Sequence, residues 1–548
     1  MSASASRSID ALTAGLLAAG LCVAIPGHAR AADADSAAVD SVRDGTPVSA
    51  VEVVVHDVFD PLPPGPLGPV YRTANALHLV SHPTAVRPHL LFAPGEPWSE
   101  RRAHEQMRLL RDLDFVDPLG VTARRAGDSA IVTVETRDTW TTQPEFNLER
   151  GGNRVFGTFG VAERNLFGLG KSVGVAYSED PTGTAWRVAY GDPAVLGSHV
   201  RFVYNASNGT SGANDYFHLW RPFYAEDTPW GFGVSWDRTG SVAHLFEYGS
   251  EVAFFARDVD DRVLWGGLGR RNDNGTVSRV ELSLDALDRV FGPSTLQPGA
   301  PPEFAGGEER LKLNRVALEG RLWKPDFIER SGIERFNRVE DFDVGPSMRL
   351  MAGYAPRAWG STANEGYLAA HLDLGADTRF GFGTLRSMMS TRLRRGPLEF
   401  VRQAEVHWVK QQTSDLALVL GGFGAAGTDP ARDFQQVLGG LNGLRAYPVQ
   451  ALAGYEAVRL NAEQRWIMAR DVGHLLSLGS AVFYDLGHTW GPGAQGTSWF
   501  NDAGFGIRIA PPTAMIGPGF RVDVAWPIEP PRNGKHQPAF SFGSTQAF

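Results

Sequence analysis

The stretch Arg459-Leu-Asn-Ala-Glu-Gln-Arg-Trp466 alternates, residue by residue, between two kinds of side chain. If it is extended, its odd-numbered positions, all polar or charged, lie on one face, and Leu460 and Trp466 lie on the other. A soluble sandwich would also alternate, but the polar face here is unusually charged. A membrane β-barrel explains both faces, since apolar side chains contact lipid and charged ones line the lumen. The same alternation recurs at Val173–Tyr177, Trp186–Tyr190, Val200–Tyr204 and Phe520–Trp526.

Composition agrees with a protein built from many short strands. The 548 residues include 63 glycines, aromatic residues make up 10%, and the mean hydropathy is −0.19. No apolar run approaches the roughly 20 residues that a membrane-spanning helix needs. Residues 142–548 predict an antiparallel transmembrane β-barrel of roughly 16 strands, at about 25 residues per strand with its turns. The net charge of −9, with mixed signs, excludes the basic footprint of a nucleic-acid-binding protein.

The first residues have the order of a secretory signal peptide. An apolar run, Ala11–Ile25, leads to the cleavage pattern Ala29-Arg-Ala31, so residues 1–31 are predicted to be removed. Residues 32–48 are small and polar and predict a flexible leader. The only cysteine, Cys22, lies in the apolar run. We therefore expect a mature protein without disulfides, thiolate metal sites or cysteine nucleophiles.

Residues 49–141 differ from the remainder in their pattern. A strand is predicted at Val51–Phe59, helical segments within residues 73–91, and a helix at Glu100–Leu113 with Ser99 as its N-cap. Two alternating segments follow, at 119–124 and 130–137, joined by a hairpin turn. This order predicts a small α+β domain with helices on one face of a sheet.

Four stretches resemble the BamA/TamA superfamily of outer-membrane proteins. Ala162-Glu-Arg-Asn-Leu-Phe-Gly-Leu-Gly-Lys171 is similar to its early-barrel motif, and Leu438-Gly-Gly-Leu-Asn-Gly-Leu-Arg-Ala-Tyr-Pro448 to its loop motif. Phe483-Tyr-Asp-Leu-Gly-His488 resembles a later strand motif. The end of the chain, with Phe540, Phe542 and Phe548, looks like the sorting signal of outer-membrane barrels. The N-terminal domain similarly resembles one POTRA domain, the periplasmic unit of that superfamily.

The resemblance implies a loop that folds back into the barrel lumen. Its motif residues would be Leu444, Arg445, Ala446 and Tyr447, with Ala446 at a position where glycine is usual. Arg445 would pair with carboxylates on the wall, Asp485 by motif and Glu463 as the second. The alternation of side chains along a strand agrees with this pairing. Glu463 lies on the charged face of its strand, and Asp485 lies on the opposite face from Val482 and Tyr484. The other interpretation is that all three are solvated charges of the lumen.

The function that the resemblance implies is non-enzymatic. It is the assembly and insertion, or the translocation, of proteins at the outer membrane, with the N-terminal domain in the periplasm. The expected partners are outer-membrane lipid, an unfolded outer-membrane or secreted client, and periplasmic chaperones. The alternative is a passive porin or receptor channel. The sequence has no nucleophile elbow, no complete phosphate loop and no metal-binding histidine motif, so we expect no catalytic residue, metal or cofactor.

Overall fold

A computed structural model describes residues 42–151, 154–180, 183–210, 212–440, 442–494, 496, 498–512, 514–515, 519–530 and 537–543. The predicted signal peptide, residues 32–41 of the predicted leader, and Phe548 lie outside the described residues. The later part of the leader is ordered against the N-terminal domain, since the Gly45 amide donates to the Trp98 carbonyl at 2.9 Å.

The N-terminal domain contains one three-stranded sheet and three α-helices. In chain order its elements are β1 (Val48–His56), α1 (Gly68–Leu77), α2 (Pro83–Val86), α3 (Glu100–Arg111), β2 (Val116–Ala126) and β3 (Ser129–Asp138). The sheet order is β1-β3-β2, with β1 parallel to β3 and β2 antiparallel to it.

Helix α3 forms because one of its faces is apolar. Ala103 and Leu110 are buried against Phe115 and against Val132 of β3. The predicted N-cap, Ser99, makes no side-chain cap hydrogen bond; the carboxylate of Asp44 accepts instead from the Glu100 amide at 3.0 Å. An acidic side chain at a helix N-terminus also interacts favourably with the helix dipole.

The remaining strands, β4 to β28, belong to one large antiparallel sheet, apart from two short hairpins. Their bounds are β4 (Thr142–Gly151), β5 (Arg154–Leu166), β6 (Lys171–Asp180), β7 (Gly183–Asp192), β8 (Arg201–Gly209), β9 (Gly212–Arg221), β10 (Trp230–Glu247), β11 (Ser250–Arg271), β12 (Val277–Phe291), β13 (Thr295–Leu296), β14 (Glu309–Trp323), β15 (Phe327–Ser331), β16 (Val339–Asp343), β17 (Ser347–Ala355), β18 (Glu365–Thr378), β19 (Gly381–Leu393), β20 (Pro397–Gln411), β21 (Leu416–Thr428), β22 (Gln436–Leu438), β23 (Leu452–Gly454), β24 (Glu456–Val472), β25 (Leu476–Trp490), β26 (Phe500–Ala510), β27 (Phe520–Pro527) and β28 (Ala539–Gly543). None of the helices in the described ranges is long and apolar enough to cross a membrane.

The prediction of roughly 16 strands is wrong for the described part of the chain. The large sheet contains 21 strands. One of these, β13, has two residues. It pairs with β11 beyond the end of β12, so β12 and β13 occupy the same place in the sheet. The estimate was low because many turns are short: β6 ends at Asp180 and β7 begins at Gly183. Each strand with its turns therefore uses fewer residues than the sequence estimate assumed.

The sheet curves round so that the last strand comes next to the first. In strand order β28 is the neighbour of β4. Cross-strand register runs through every pair from β4 round to β28, whereas the described residues define no register between β28 and β4. We call this junction the seam. Among the described residues, β28 pairs with β27 over five residue pairs, from Arg521↔Gly543 to Ala525↔Ala539.

The alternation predicted from the sequence is present in the structure. On β24, Leu460 is 47% exposed and Trp466 is 53% exposed, whereas Glu463 is 0% exposed. The outward side chains are apolar and the inward ones are polar, so the wall has two chemically different faces.

Two segments between strands fold into the barrel from opposite ends. Because neighbouring strands are antiparallel, alternate turns lie on the side of the N-terminal domain; we call that side the near rim. The inner loop, residues 429–455, enters from the far side and contains the short pair β22–β23. The mouth hairpin, residues 324–346, contains the pair β15–β16 and crosses the near opening.

Candidate functional site: a buried arginine inside the barrel

The inner loop is attached to the wall by an apolar contact. Leu444 and Tyr447 are buried and pack with Leu452 against Phe483 of β25 and Phe500 of β26. The Tyr447 hydroxyl also bonds to the backbone carbonyl of Asn501, at 2.9 Å. The loop motif of the sequence therefore has its bulky side chains in a core that it shares with the wall.

Arg445 lies at the centre of this contact and is 2% exposed. Its Nε and Nη2 donate to Asp485 Oδ2 and Oδ1, at 2.7 and 2.9 Å, which is a bidentate pair. Its Nη1 donates to Glu463 Oε2 at 2.8 Å. The guanidinium carbon lies 3.3 Å from the centre of the Phe483 ring, a stacking contact that a planar guanidinium makes well. The structure thus brings together Arg445, Asp485 and Glu463, the three residues that the sequence analysis named.

Two further carboxylates complete a row across four neighbouring strands. Asp523 of β27 lies 3.5 Å from Arg445 Nη1, and Asp502 of β26 accepts from the Ala446 amide at 3.1 Å. With Glu463 on β24 and Asp485 on β25, consecutive strands each contribute one acid. We call Arg445 and these four acids the arginine clamp.

The sequence analysis did not name Asp502 or Asp523. Their parity is visible in the sequence, since Asp523 alternates with Val522 and Val524. Parity alone does not give the height at which a residue lies along the barrel. The register of β24 to β27 decides which inward acids reach one guanidinium.

Three more arginines balance the charge of these acids. Arg508 Nη2 and Nη1 contact Glu463 Oε1 and Asp523 Oδ1, at 3.1 and 2.6 Å. Arg521 pairs with Asp523, and Arg465 Nε donates to Glu463 Oε1 at 3.0 Å. Buried charges are tolerated when they are paired and hydrogen-bonded in this way. These three arginines contact Glu463 and Asp523, whereas Asp485 hydrogen-bonds to Arg445, to the amide of Asn461 and to the Asp502 carboxyl group.

Ala446, which stands where glycine is usual, fits its backbone conformation. The positive φ angles of this segment fall on Gly439, Gly440 and Gly443, and not on Ala446. Gly443 has φ +84°, and a Cβ there would lie 2.0 Å from Arg459 Cδ. At Gly439, with φ +122°, a Cβ would lie 2.2 Å from the Pro448 carbonyl oxygen. The close approaches that require glycine are therefore at residues 439 and 443, and not at 446.

The mouth hairpin reaches the same charge network from the near side. Arg465 Nη1 contacts the Ile333 carbonyl at 3.2 Å and Glu334 Oε1 at 3.3 Å. Ile333 is buried among wall residues of β19 to β21, and Phe336 packs on Ile467 and Ala510. The hairpin begins at β14 and its tip contacts β24 and β26, so it spans the near opening of the barrel.

The N-terminal domain holds the base of this hairpin. Arg111 of α3 donates to Asp341 at 2.7 Å and to Glu329 at 3.0 Å, and Arg338 of the hairpin donates to Asp117 of β2 at 2.6 Å. The same helix contacts a second near-rim segment, where Arg101 and Arg108 pair with Glu226 at 3.0 and 3.1 Å. Helix α3 therefore connects the domain to the barrel through charged pairs.

One carboxyl group of the hairpin has an unusual environment. Glu340 accepts hydrogen bonds from the backbone amides of Ile333, Glu334 and Arg335 at 3.1–3.2 Å. Burial raises the pKa of Glu340 to about 7, against an ordinary value of 4.5. This side chain, which no sequence motif marked, organises the turn that reaches Arg465.

Two residues of the predicted sorting signal, Phe540 and Phe542, lie on the last strand. Phe540 is 50% exposed and Phe542 lies on the same face of β28, while Ser541 between them is buried inward. In the described residues no group of three or more histidine, cysteine or acidic side chains has the arrangement of a metal site.

Comparison with known proteins gives a likeness of fold. No protein-family profile and no curated protein matches this sequence. Among solved structures, CdiB from Acinetobacter baumannii is 11% identical, covers 91% of this chain and 73% of its own, and has a TM-score of 0.43. CdiB from Escherichia coli is 10% identical, with 90% and 76% covered and a TM-score of 0.44. BamA from Haemophilus ducreyi lacking POTRA domains 1-3 is 13% identical, with 91% and 84% covered and a TM-score of 0.39.

BamA, which the sequence motifs had suggested, is thus among the matched structures. Identities of 10–13% concern the fold alone. The function is argued below from the residues of this chain.

Proposed function

We propose that this chain is an outer-membrane protein of the BamA/TamA superfamily that inserts or translocates client proteins without catalysing a reaction. The observation that carries the proposal is the arginine clamp, which pins an inward loop to four consecutive strands next to the seam. The clamped wall ends at β27, and in the part of the chain that the structure describes β28 (Ala539–Gly543) is the strand between it and the seam.

The outer surface of the barrel supports a membrane location. Large apolar side chains that would contact lipid include Leu264, Val280, Leu282, Leu318, Leu350, Leu372, Val406, Leu460, Val482, Phe505 and Trp526, each at least 40% exposed. A soluble protein rarely leaves so many apolar groups in contiguous rows on its surface. Aqueous exposure of this surface would be costly, whereas contact with lipid chains is favourable.

The seam supports a barrel that opens sideways. Pro538 immediately precedes β28 and cannot donate to a strand ladder. The clamp holds β24 to β27 as one unit, because each strand contributes an acid to the same network. Opening would therefore be confined to the junction of β28 with β4, where a client strand would pair.

The N-terminal domain supplies a surface on which a client can be captured. Strand β1 is at the edge of its sheet, since the order is β1-β3-β2. Val54 on this strand is 37% exposed. An extended client segment can add to such an edge through backbone hydrogen bonds. This role, and the placement of the domain in the periplasm as one POTRA-like unit, are part of the proposal.

A passive porin or receptor is the alternative function. A cavity of about 700 Å³ lies in the far half of the lumen, lined among others by Asp237, Arg257 and Arg289. The mouth hairpin crosses the opposite end and is attached both to the wall and to α3. A resting barrel closed in this way favours regulated passage over free diffusion.

Depletion of the protein, followed by proteomics of the outer membrane and of the secreted fraction, tests the proposal. A general fall in barrel proteins would indicate assembly, and loss of one exported protein would indicate dedicated secretion. Complementation with Arg445→Ala should fail at equal protein level, whereas Arg310→Ala, which changes an exposed pair with Asp288, should restore function. Unchanged client levels on depletion would refute both forms of the proposal.

A further inference from the structure

A segment of the N-terminal domain differs in charge from the rest of the protein. Residues 61–95 contain no aspartate or glutamate, although the whole chain has 61 acidic residues and a net charge of −9. The same segment contains Arg72 and Arg87 together with His78, His82 and His89. Arg72 and Arg87 are exposed, and neither has an ion-pair partner among the described residues.

The same segment leaves large apolar side chains in contact with solvent. Leu77 is 74% exposed, Leu79 is 64% exposed and Val70 is 53% exposed. Removing apolar side chains of this size from water is energetically favourable. A cluster of exposed apolar residues flanked by cations is typical of a surface that contacts another protein or a membrane.

The position of the segment is set by two anchors on the near rim. The Tyr71 hydroxyl of α1 donates to the Gly473 carbonyl at 2.7 Å, in the turn between β24 and β25. The His82 amide donates to the Gly168 carbonyl at 2.8 Å, in the turn between β5 and β6. Round the barrel, the strand order is β24-β25-β26-β27-β28-β4-β5-β6, so the first turn lies on the β28 side of the seam and the second on the β4 side. Residues 71–82 therefore pass along the near rim beside the seam.

The exposed apolar residues lie beside the outer surface of the barrel. Phe167 in the second of these turns is 70% exposed, and Leu77, Leu79 and Phe167 line one cavity. Val161 of β5 and Val173 of β6 lie above this turn and face outward. Glu163 lies on the same outward face, between Val161 and the turn, and its carboxylate accepts from the Thr142 hydroxyl and the Asn165 amide. The exposed apolar side chains of the wall and of the N-terminal domain thus lie on either side of this hydrogen-bonded acid.

We propose that residues 70–80, together with Phe167, dock on the inner leaflet of the outer membrane, with anionic lipid headgroups as the partner of Arg72 and Arg87. Apolar side chains enter the boundary between headgroups and acyl chains, and the arginines meet the phosphates. Docking holds the N-terminal domain against the membrane next to the seam. The inference rests on the outer-membrane location in the proposed function, and it adds a lipid surface as a partner of the domain.

Spin labels on single cysteines in the full chain test this docking. Cys22 is the only cysteine, so Cys22→Ser gives a cysteine-free background. Labels are placed at Leu77→Cys and Leu79→Cys on the patch and at Leu282→Cys on the lipid-facing wall. A matched control, Asp128→Cys, lies in the exposed turn between β2 and β3, at the opposite end of β3 from Asp138, which leads into the barrel. Accessibility to oxygen and to a water-soluble nickel complex is measured in vesicles of phosphatidylethanolamine with phosphatidylglycerol.

The expected result is that the labels at residues 77 and 79 lose nickel accessibility and gain oxygen accessibility relative to the label at residue 128. Arg72→Glu with Arg87→Glu, or vesicles of phosphatidylcholine alone, should reverse part of this shift. Equal nickel accessibility at 77, 79 and 128, with the label at 282 in lipid, would overturn the docking. A label at 282 in water would instead refute the membrane location itself. If the labels at residues 77 and 79 stay inaccessible to nickel in detergent and become accessible on dilution, a second copy of the chain covers them. That result would also overturn the proposal.

Discussion

Replacing Arg445 by alanine should destabilise the barrel strongly, because it removes the cation shared by the arginine clamp. Removing one partner of a buried ion pair typically costs about 3–5 kcal/mol. The loss is concentrated at Asp485, which loses its bidentate cation and keeps the Asn461 amide, at 2.7 Å, and the neighbouring Asp502 carboxyl group as hydrogen-bond partners. Glu463 is affected less, since Arg465 and Arg508 still contact it at 3.0 and 3.1 Å.

This magnitude corresponds to a factor of about a hundred to several thousand in the ratio of folded to unfolded barrel. The assay is the temperature at which the folded, fast-migrating form converts to the unfolded form on gels. Urea titration followed by tryptophan fluorescence is the second readout. Arg445→Lys should recover only part of the loss, because an ammonium group cannot make the bidentate pair.

Arg310→Ala is the matched control for Arg445→Ala. Arg310 also pairs with a carboxylate in two-point geometry, at 2.9 and 2.6 Å to Asp288, but its side chain is 55% exposed. Solvent screening makes such pairs weak, so its unfolding temperature should change little. The reasoning is refuted if both variants unfold at the wild-type temperature. It is also refuted if adding Asp485→Asn to Arg445→Ala costs as much as Asp485→Asn alone, since partners in one network must couple.

Three further predictions concern the hairpin and the last strand. Replacing residues 324–346 by a short turn should raise single-channel conductance in planar bilayers, and equal conductance would show that the hairpin does not close the mouth. Because burial raises the pKa of Glu340 to about 7 from 4.5, the folded hairpin holds this proton more tightly than the unfolded chain does. The resulting stabilisation of the folded hairpin is fully present below about pH 4.5 and is lost as the pH rises through about 7. Conductance should therefore increase over that range in the wild type, and Glu340→Gln should remove this component. Phe540→Ser with Phe542→Ser should lower the amount of barrel in the outer membrane, whereas Ser541→Ala, which faces inward, should not.

The two faces of the wall could be predicted from the sequence because side chains on a strand alternate with a period of two. That rule placed Glu463 inward and Leu460 outward from their positions alone. The pairing of Asp485 with the loop arginine came from the family resemblance, and strand parity agreed with it.

The mouth hairpin could not be predicted by the same rule. Residues 327–331 and 339–343 are strands of five residues each, and only their pairing with each other shows that they leave the large sheet. The contacts of Arg111 and Arg338 join segments more than 200 residues apart. Local pattern carries no information on such pairs. The strand number failed for a related reason, since the length of each turn depends on how neighbouring strands are paired.

The claim that clients pass the seam beside the clamped wall is tested most directly by photocrosslinking in cells. A photoreactive phenylalanine replaces Phe540 on the last strand, and a second variant carries it at Leu282, which is 54% exposed on the outer wall away from the seam. The account predicts that an unfolded outer-membrane or secreted protein is captured at residue 540 and not at residue 282. Equal capture at the two positions, or no client at residue 540 while the protein is folded and abundant, would contradict it.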